Sequence, residues 1–270
     1  MTSFKYKEMD LARRLEKNGF LTKHRQSELN TLATYWYTEK GYKGKKLREA
    51  LVEFCEKNDK GFRITRDYAM ISKALKASTK KALIQIDFCP AYKEELQWIA
   101  DLPLGRVFQK ALFVILIQKR LESMVRLGVE EGLKEPLIPL LLTSSRSFRG
   151  MVKAGRFPAK LNFDKDILFE LGQKGLITPL YGGKVALDYF KDIPAGQEEA
   201  YRIKDFDTAG MVFDHWVGDK CIQMCSCGSV FKKNNNKHKY CQECQEANQR
   251  EYERVYNENR RSSGSKKPKE

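Results

Sequence analysis

Five of the seven cysteines in this chain fall between residues 221 and 244. Four of them make two close pairs, Cys225-Ser226-Cys227-Gly228 and Cys241-Gln242-Glu243-Cys244, separated by a Lys- and Asn-rich stretch. Two near pairs of thiolates are what a tetrahedral Zn²⁺ ion takes as ligands, and a shell of four protein sulfurs leaves no open position for substrate. The spacing therefore predicts a structural ion held by Cys225, Cys227, Cys241 and Cys244. The one-residue gap in the first pair is tighter than the common two, and Gly228 permits the sharp knuckle it demands. Cys221 and His238 are near enough in sequence to replace one ligand. So short a segment cannot build a core of its own. Zinc binding of this kind is worth about 10–16 kcal/mol in small fingers, so without the ion the module is expected to unfold.

A second chemistry is carried by charge. With 50 Lys and Arg against 35 Asp and Glu, the formal net charge is +15, which favours a polyanionic partner, DNA before RNA. Two stretches lack acidic residues altogether. From residue 136 to 163 the chain offers Arg146, Arg149, Lys153, Arg156 and Lys160. From 220 to 242, Lys232, Lys233, Lys237 and Lys239 alternate with Asn234, Asn235, Asn236, His238, Phe231 and Tyr240. These residue types contact phosphates, sugars and bases. A further basic cluster, Lys40, Lys43, Lys45, Lys46 and Arg48, reads as a solvated corner between helices, with phosphate contact as the alternative. For catalysis there is no Walker-type loop, no Gly-x-Ser-x-Gly elbow and no paired-His motif. Asp214-His215-Trp216 beside the finger is similar to the metal corner of HNH nucleases, but the second His or Asn such a site needs is lacking. The reading is non-enzymatic.

The elements that must position these residues are mainly helical. Leu29, Leu32, Ala33, Trp36 and Tyr37 follow helical spacing, as do Leu47, Leu51, Phe54 and Cys55, giving a helical domain over 1–80. Residues 81–104 read as a connector, with a short strand or extended piece at Leu83–Phe88. A helix from Arg106 to Arg126 is apolar nearly all round at Phe113–Ile117 and should be central to the domain it opens, 105–191. Then come a Ser144-Ser145-capped helix, an Asn162-capped helix, and a hairpin around Gly182-Gly183, the order of a winged-helix domain. Asp164, Asp166 and Glu170 on the helix before the wing count against a groove-reading role for it. Residues 192–219 read as a linker, 220–261 as the finger with a helix from Gln245 to Arg261, and 262–270 as a disordered basic tail.

With helices, wing and finger in place, the chain resembles uncharacterised proteins of Gram-positive phages and mobile elements. The shared phrases are KALFVILIQKRLE, opening the winged-helix-like segment, and CSCGSVFKKNNNKHKYCQEC near the end. The resemblance implies a zinc-containing DNA-binding regulatory or replication factor with a treble-clef-like finger. A different class of role is a protein-interaction factor, an inhibitor or adaptor of a host nucleoprotein complex. Clustered cysteines without a secretory leader, and no apolar run near the roughly 20 residues a bilayer span needs, place it in the bacterial cytosol with no membrane partner. Cys55 and Cys89 read as buried free thiols.

Overall fold

The computed structural model describes residues 5–80, 82–134, 137, 139–143, 149, 152, 155–234 and 238–264. The chain divides into two compact units, residues 1–87 with 121–136, and residues 88–120 with 137–270.

The first unit is helical. Helices α1 (Glu8–Asn18), α2 (Arg25–Thr38), α3 (Gly44–Asn58) and α4 (Ile64–Ser78) pack with α2 against the other three. The expected stripes form its core: Leu29, Leu32, Ala33 and Trp36 of α2 and Leu47, Leu51, Phe54 and Cys55 of α3 are buried together. Trp36 meets Phe54 edge-on at 6.0 Å between ring centroids and donates its indole N–H to Glu16 at 2.6 Å. Gly41, at φ 65°, lets the chain leave α2 and turn into α3. Residues 83–88 do not form a regular strand. Ile86 donates its N–H to the Tyr6 carbonyl at 2.8 Å and Lys7 bridges Gln85, and no longer ladder develops. The C-terminal end of α6 (Arg106–Leu127) and α7 (Val129–Lys134) complete this unit. They meet at Gly132, where an added Cβ would lie 2.6 Å from the backbone of Met124.

The second unit begins where the connector was expected. Strand β1 (Cys89–Tyr92) pairs antiparallel with β5 (Glu199–Ile203), and α5 (Lys93–Asp101) follows β1 directly. Pro90, which cannot donate, sits in a two-stranded ladder that leaves it an edge. Residues 111–117 of α6 are fully buried, as their all-round apolar character requires. Arg120 of the same helix is buried and ion-pairs with buried Glu95, and it also donates to the Pro90 carbonyl at 2.7 Å. Strand β2 (Leu140–Leu142) comes next. After it, one π turn (Phe163–Ile167) leads into α8 (Leu168–Gln173), then β3 (Thr178–Leu180) and β4 (Lys184–Ala186). The sheet order is β2-β4-β3, all antiparallel, so the expected hairpin gains a third strand. Its turn passes through Gly182 and Gly183, both at positive φ.

Residues 192–219, expected to be a linker, carry core. Strand β5 lies there, and α9 (Ala209–Trp216) buries Met211, Val212 and Phe213, with Phe213 5.7 Å from Phe113 of α6. The finger follows as β6 (Ile222–Met224), β7 (Val230–Lys232) and α10 (Gln242–Gly264). Helix α10 starts earlier than expected, taking in Cys244, and runs through 262–264, the start of the expected tail. Residues 265–270 lie outside the described residues. Among the described residues no helix is long and apolar enough to cross a membrane.

Candidate metal centre and basic surfaces

Each cysteine of the candidate centre is placed by a local device. Strands β6 and β7 pair from Ile222↔Lys232 to Met224↔Val230, which brings the knuckle to the end of a two-stranded hairpin. There Cys225 donates its N–H to the Ser229 carbonyl at 2.8 Å, and Gly228, at φ 86°, returns an N–H to the Cys225 carbonyl at 2.9 Å. Cys241 stands just before α10 and Cys244 lies in its first turn, with Gln245 N–H bonded to the Cys241 carbonyl at 2.9 Å. The hairpin is two-faced. Phe231 packs on the cysteines, while strands β6 and β7, with buried Ile222 and Val230, lie against α9.

The four Sγ atoms all lie within 4.8 Å of one another, and Cys227 and Cys241 approach to 3.6 Å. Two sulfurs on a tetrahedral ion with bonds of about 2.3 Å are about 3.8 Å apart, whereas a disulfide needs about 2.05 Å. The arrangement fits four ligands of one ion and no disulfide. Burial pushes the Cys225 thiol up, but hydrogen bonds from the backbones of Cys227 and Cys241 outweigh it and bring it down to about 6. Burial acts the same way on Cys227, where Ser229 supplies the opposing hydrogen bonds and the thiol ends below its ordinary value. Cys244 shares its proton with Cys227, Cys241 and Cys225 and is pushed up to about 12.

The two alternative ligands stand aside. Cys221 is exposed, and its carbonyl accepts from Lys233 N–H at 2.8 Å. His238 lies against the Phe231 ring at 5.0 Å, and its Nδ1 accepts from Asn234 N–H at 3.3 Å. Neither belongs to the cluster, which is the one group of its kind among the described residues. Cys55 and Cys89 are buried, and desolvation pushes both thiols up to about 12, so they are inert.

The basic residues divide. Lys232 and Lys239 are exposed beside the cluster, and Lys233 is half-buried. Arg149 is exposed but engaged, donating to the Thr143 carbonyl at 3.2 Å and lying 3.6 Å from the Asp164 carboxylate. Arg156 is exposed at φ 54°, uncommon for a side chain with a Cβ. Its turn is set by close packing: a Cβ on Gly210 of α9 would lie 2.8 Å from Gly155 Cα, and Lys110 sits 5.4 Å over the Phe157 ring. Arg146, Lys153 and Lys237 lie outside the described residues.

The acidic residues before the wing are partly accounted for. Asn162 accepts from the N–H groups of Asp164 and Lys165, both at 3.0 Å, as the expected cap. Asp166 folds back to accept from Asn162 N–H at 2.6 Å, so its charge serves the helix start. The sequence reading missed Lys165 and Lys184, both exposed, and Tyr181, which is 100% exposed in the hairpin turn. The turn glycines were the available signal for Tyr181 and Lys184. At the fragment resembling a nuclease corner, Asp214 is bound by Lys110 at 2.7 Å and approached by Arg106 at 3.7 Å, and His215 Nδ1 pairs with the Tyr201 hydroxyl at 2.6 Å.

No protein-family model, no curated protein and no solved structure matches this chain.

Proposed function

We propose that the chain is a non-enzymatic, zinc-containing nucleic-acid-binding protein, a DNA-binding regulatory or replication factor of a phage or mobile element. The observation that carries the reading is the second unit's order of elements. A long helix, a strand, an Asn-capped helix and a hairpin whose second strand pairs back to the first strand follow in the order that a winged-helix reading calls for. The same unit also carries a cysteine cluster of zinc-ligand geometry, at the end of its own two-stranded hairpin. The cluster would hold Zn²⁺ through Cys225, Cys227, Cys241 and Cys244, as a treble-clef-like knuckle and helix start. The ion would supply no reaction; it would fix the hairpin to α10. Phosphate contacts would come from Arg156, Lys165 and Lys184 near the wing and from Lys232, Lys233 and Lys239 on the finger. Arg149 is assigned instead to holding the chain before α8.

Neutralising the finger lysines (K232Q/K233Q/K239Q) is expected to lower affinity for a random-sequence duplex. If all three touch phosphate, the slope of log K against log salt falls by about 2.7. Fluorescence anisotropy across a salt series measures it, and an unaltered slope removes the finger from the interface. The protein-docking reading has one observation of its own: Tyr252, Val255 and Tyr256 form an exposed apolar stripe on α10. Partners that survive nuclease treatment in a pull-down, and vanish with Y252S/Y256S, would favour it.

A further inference from the structure

The first unit holds a feature that the reading above does not use. A depression of about 430 Å³ lies at the corner where α2 turns into α3, lined by Tyr37, Lys45, Leu47, Arg48, Leu75 and Thr79. Its floor is apolar: Leu47 is buried, and Leu75 and Tyr37 are half-buried, while Lys45, Arg48 and Thr79 at the rim are exposed. Arg48 is at its rim and Lys43 lies by its Tyr37 wall, both exposed, whereas Lys46, equally exposed, falls on the opposite side of α3; none of the three has a carboxylate partner among the described residues. Instead each lies near a tyrosine ring, Lys43 5.8 Å from Tyr37, Lys46 4.2 Å from Tyr42 and Arg48 4.9 Å from Tyr68. The neighbouring cations differ, since Lys40 is paired with Glu16 and Lys45 stands 3.7 Å from Glu49.

This arrangement is electrostatically unfavourable for the protein alone. The first turn of α3 contains no acidic residue, and Lys45 and Lys46 occupy it with Lys43 at the cap position. Cations there oppose the positive end of the helix dipole. A cation resting on an aromatic face keeps its charge available and loses little by moving to a phosphate. An apolar floor of nucleotide size with cations at its rim matches an unstacked base followed by its phosphates. Aromatic rings interleaved with cations are the general means of gripping single strands. Duplex DNA would present only its phosphates here, because its bases are stacked and cannot enter the depression.

We propose that the α2–α3 corner is a binding site for single-stranded nucleic acid, with the depression taking one base and Lys43 and Arg48 taking the adjoining phosphates. The site belongs wholly to the first unit and does not depend on the finger or the wing.

The test uses the full chain, its K43Q/R48Q variant and the K232Q/K233Q/K239Q variant, each titrated with a random-sequence single strand, the matching duplex and a mononucleotide. Both substituted corner residues are exposed, so the melting temperature of the first variant should be that of the parent. If the assignment holds, its salt slope for the single strand falls by about 1.4, so the affinity lost between 50 and 200 mM salt shrinks about seven-fold, while the duplex slope changes less. An unchanged single-strand slope overturns the site. A larger loss on duplex overturns the choice of single strand, and a mononucleotide that binds as tightly as the oligonucleotide shows a small-molecule pocket instead. A loss confined to the finger variant defeats this site and leaves the function proposed above standing. A loss confined to the corner variant does the reverse.

Discussion

Replacing Cys241 by Ser isolates what the cysteine cluster contributes. Among the described residues, Phe231 is the one large apolar side chain buried against the cluster, and the hairpin adds Ile222 and Val230 on its other face. Three such side chains are worth about 1.5–3 kcal/mol each when buried. A zinc ion held by these four sulfurs would contribute about 10–16 kcal/mol and so outweigh the local apolar contacts. Cys241 is buried beside the start of α10. Its loss removes one of four sulfurs and unties the helix from the hairpin. The expected result is a fall from one equivalent of zinc per chain to well below one, read by elemental mass spectrometry. Amides of the hairpin, Ile222 to Lys233, should then exchange with solvent far faster, while those of α2 in the first unit keep their protection. Helix α10 supplies 23 helical residues, about a sixth of those in the α-helices described, so its fraying would cost up to about a sixth of the backbone's helical signal. Cys221→Ser is the control, because Cys221 is exposed and lies outside the cluster. A Cys241→Ser protein that keeps a full equivalent of zinc and unchanged hairpin protection would refute the reasoning.

Two further outcomes test the scaffold. Burial pushes the Glu16 carboxyl up, but hydrogen bonds from Lys40 and Trp36 outweigh it, so its folded value lies below the ordinary 4.5. Glu16 therefore adds stability above that pH, and the contribution, about 1 kcal/mol for so accessible a group, is lost as the pH falls through the lowered value. Thermal melting against pH, followed by tryptophan fluorescence, should show this acid phase in the parent and lose it in Glu16→Gln; an identical profile in both would exclude it. Gly210→Ala places a Cβ 2.8 Å from both Gly155 Cα and its carbonyl oxygen. It should cost about 1–3 kcal/mol by overpacking and disturb the turn that carries Arg156. Gly172→Ala in α8, with nothing nearer than 3.8 Å, should be neutral or stabilising. Equal melting temperatures for the two variants would show that the α9 contact is not tight.

What could be read from the sequence depended on how far apart the interacting residues lie. The stripes of α2 and α3 and the apolar belt of α6 were legible because a helix is hydrogen-bonded within itself and its period shows in one window. The hairpin at Gly182-Gly183 was legible for the same reason, its turn being local. Strand β2 was not: Leu140-Leu141-Leu142 has no alternation, and its identity comes from pairing with Lys184–Ala186 some forty residues on. Strands β1 and β5 are more than a hundred residues apart, which is why their segments read as connector and linker. Helix α9 is eight residues with a glycine inside, too short to show a period, and its place in the core comes from Phe213 meeting Phe113.

The same distinction separates the two kinds of candidate site. A metal shell demands four donors at fixed distances, so the sequence must place them on a knuckle and a helix start, and both devices are local. Cys225 to Cys244 could therefore be named in advance. A phosphate contact demands only an accessible cation, and most accessible cations on a chain of charge +15 serve no site. Arg149 has the right type in an acid-free stretch, yet the Thr143 carbonyl and Asp164 engage it. Lys40 belongs to a basic run, yet Glu16 engages it. Among the described residues, Lys43, Lys46 and Arg48 are set apart from those two by having rings and no carboxylate beside them. What marks a cation as available is the absence of a neighbouring acid, and that absence is decided by the fold.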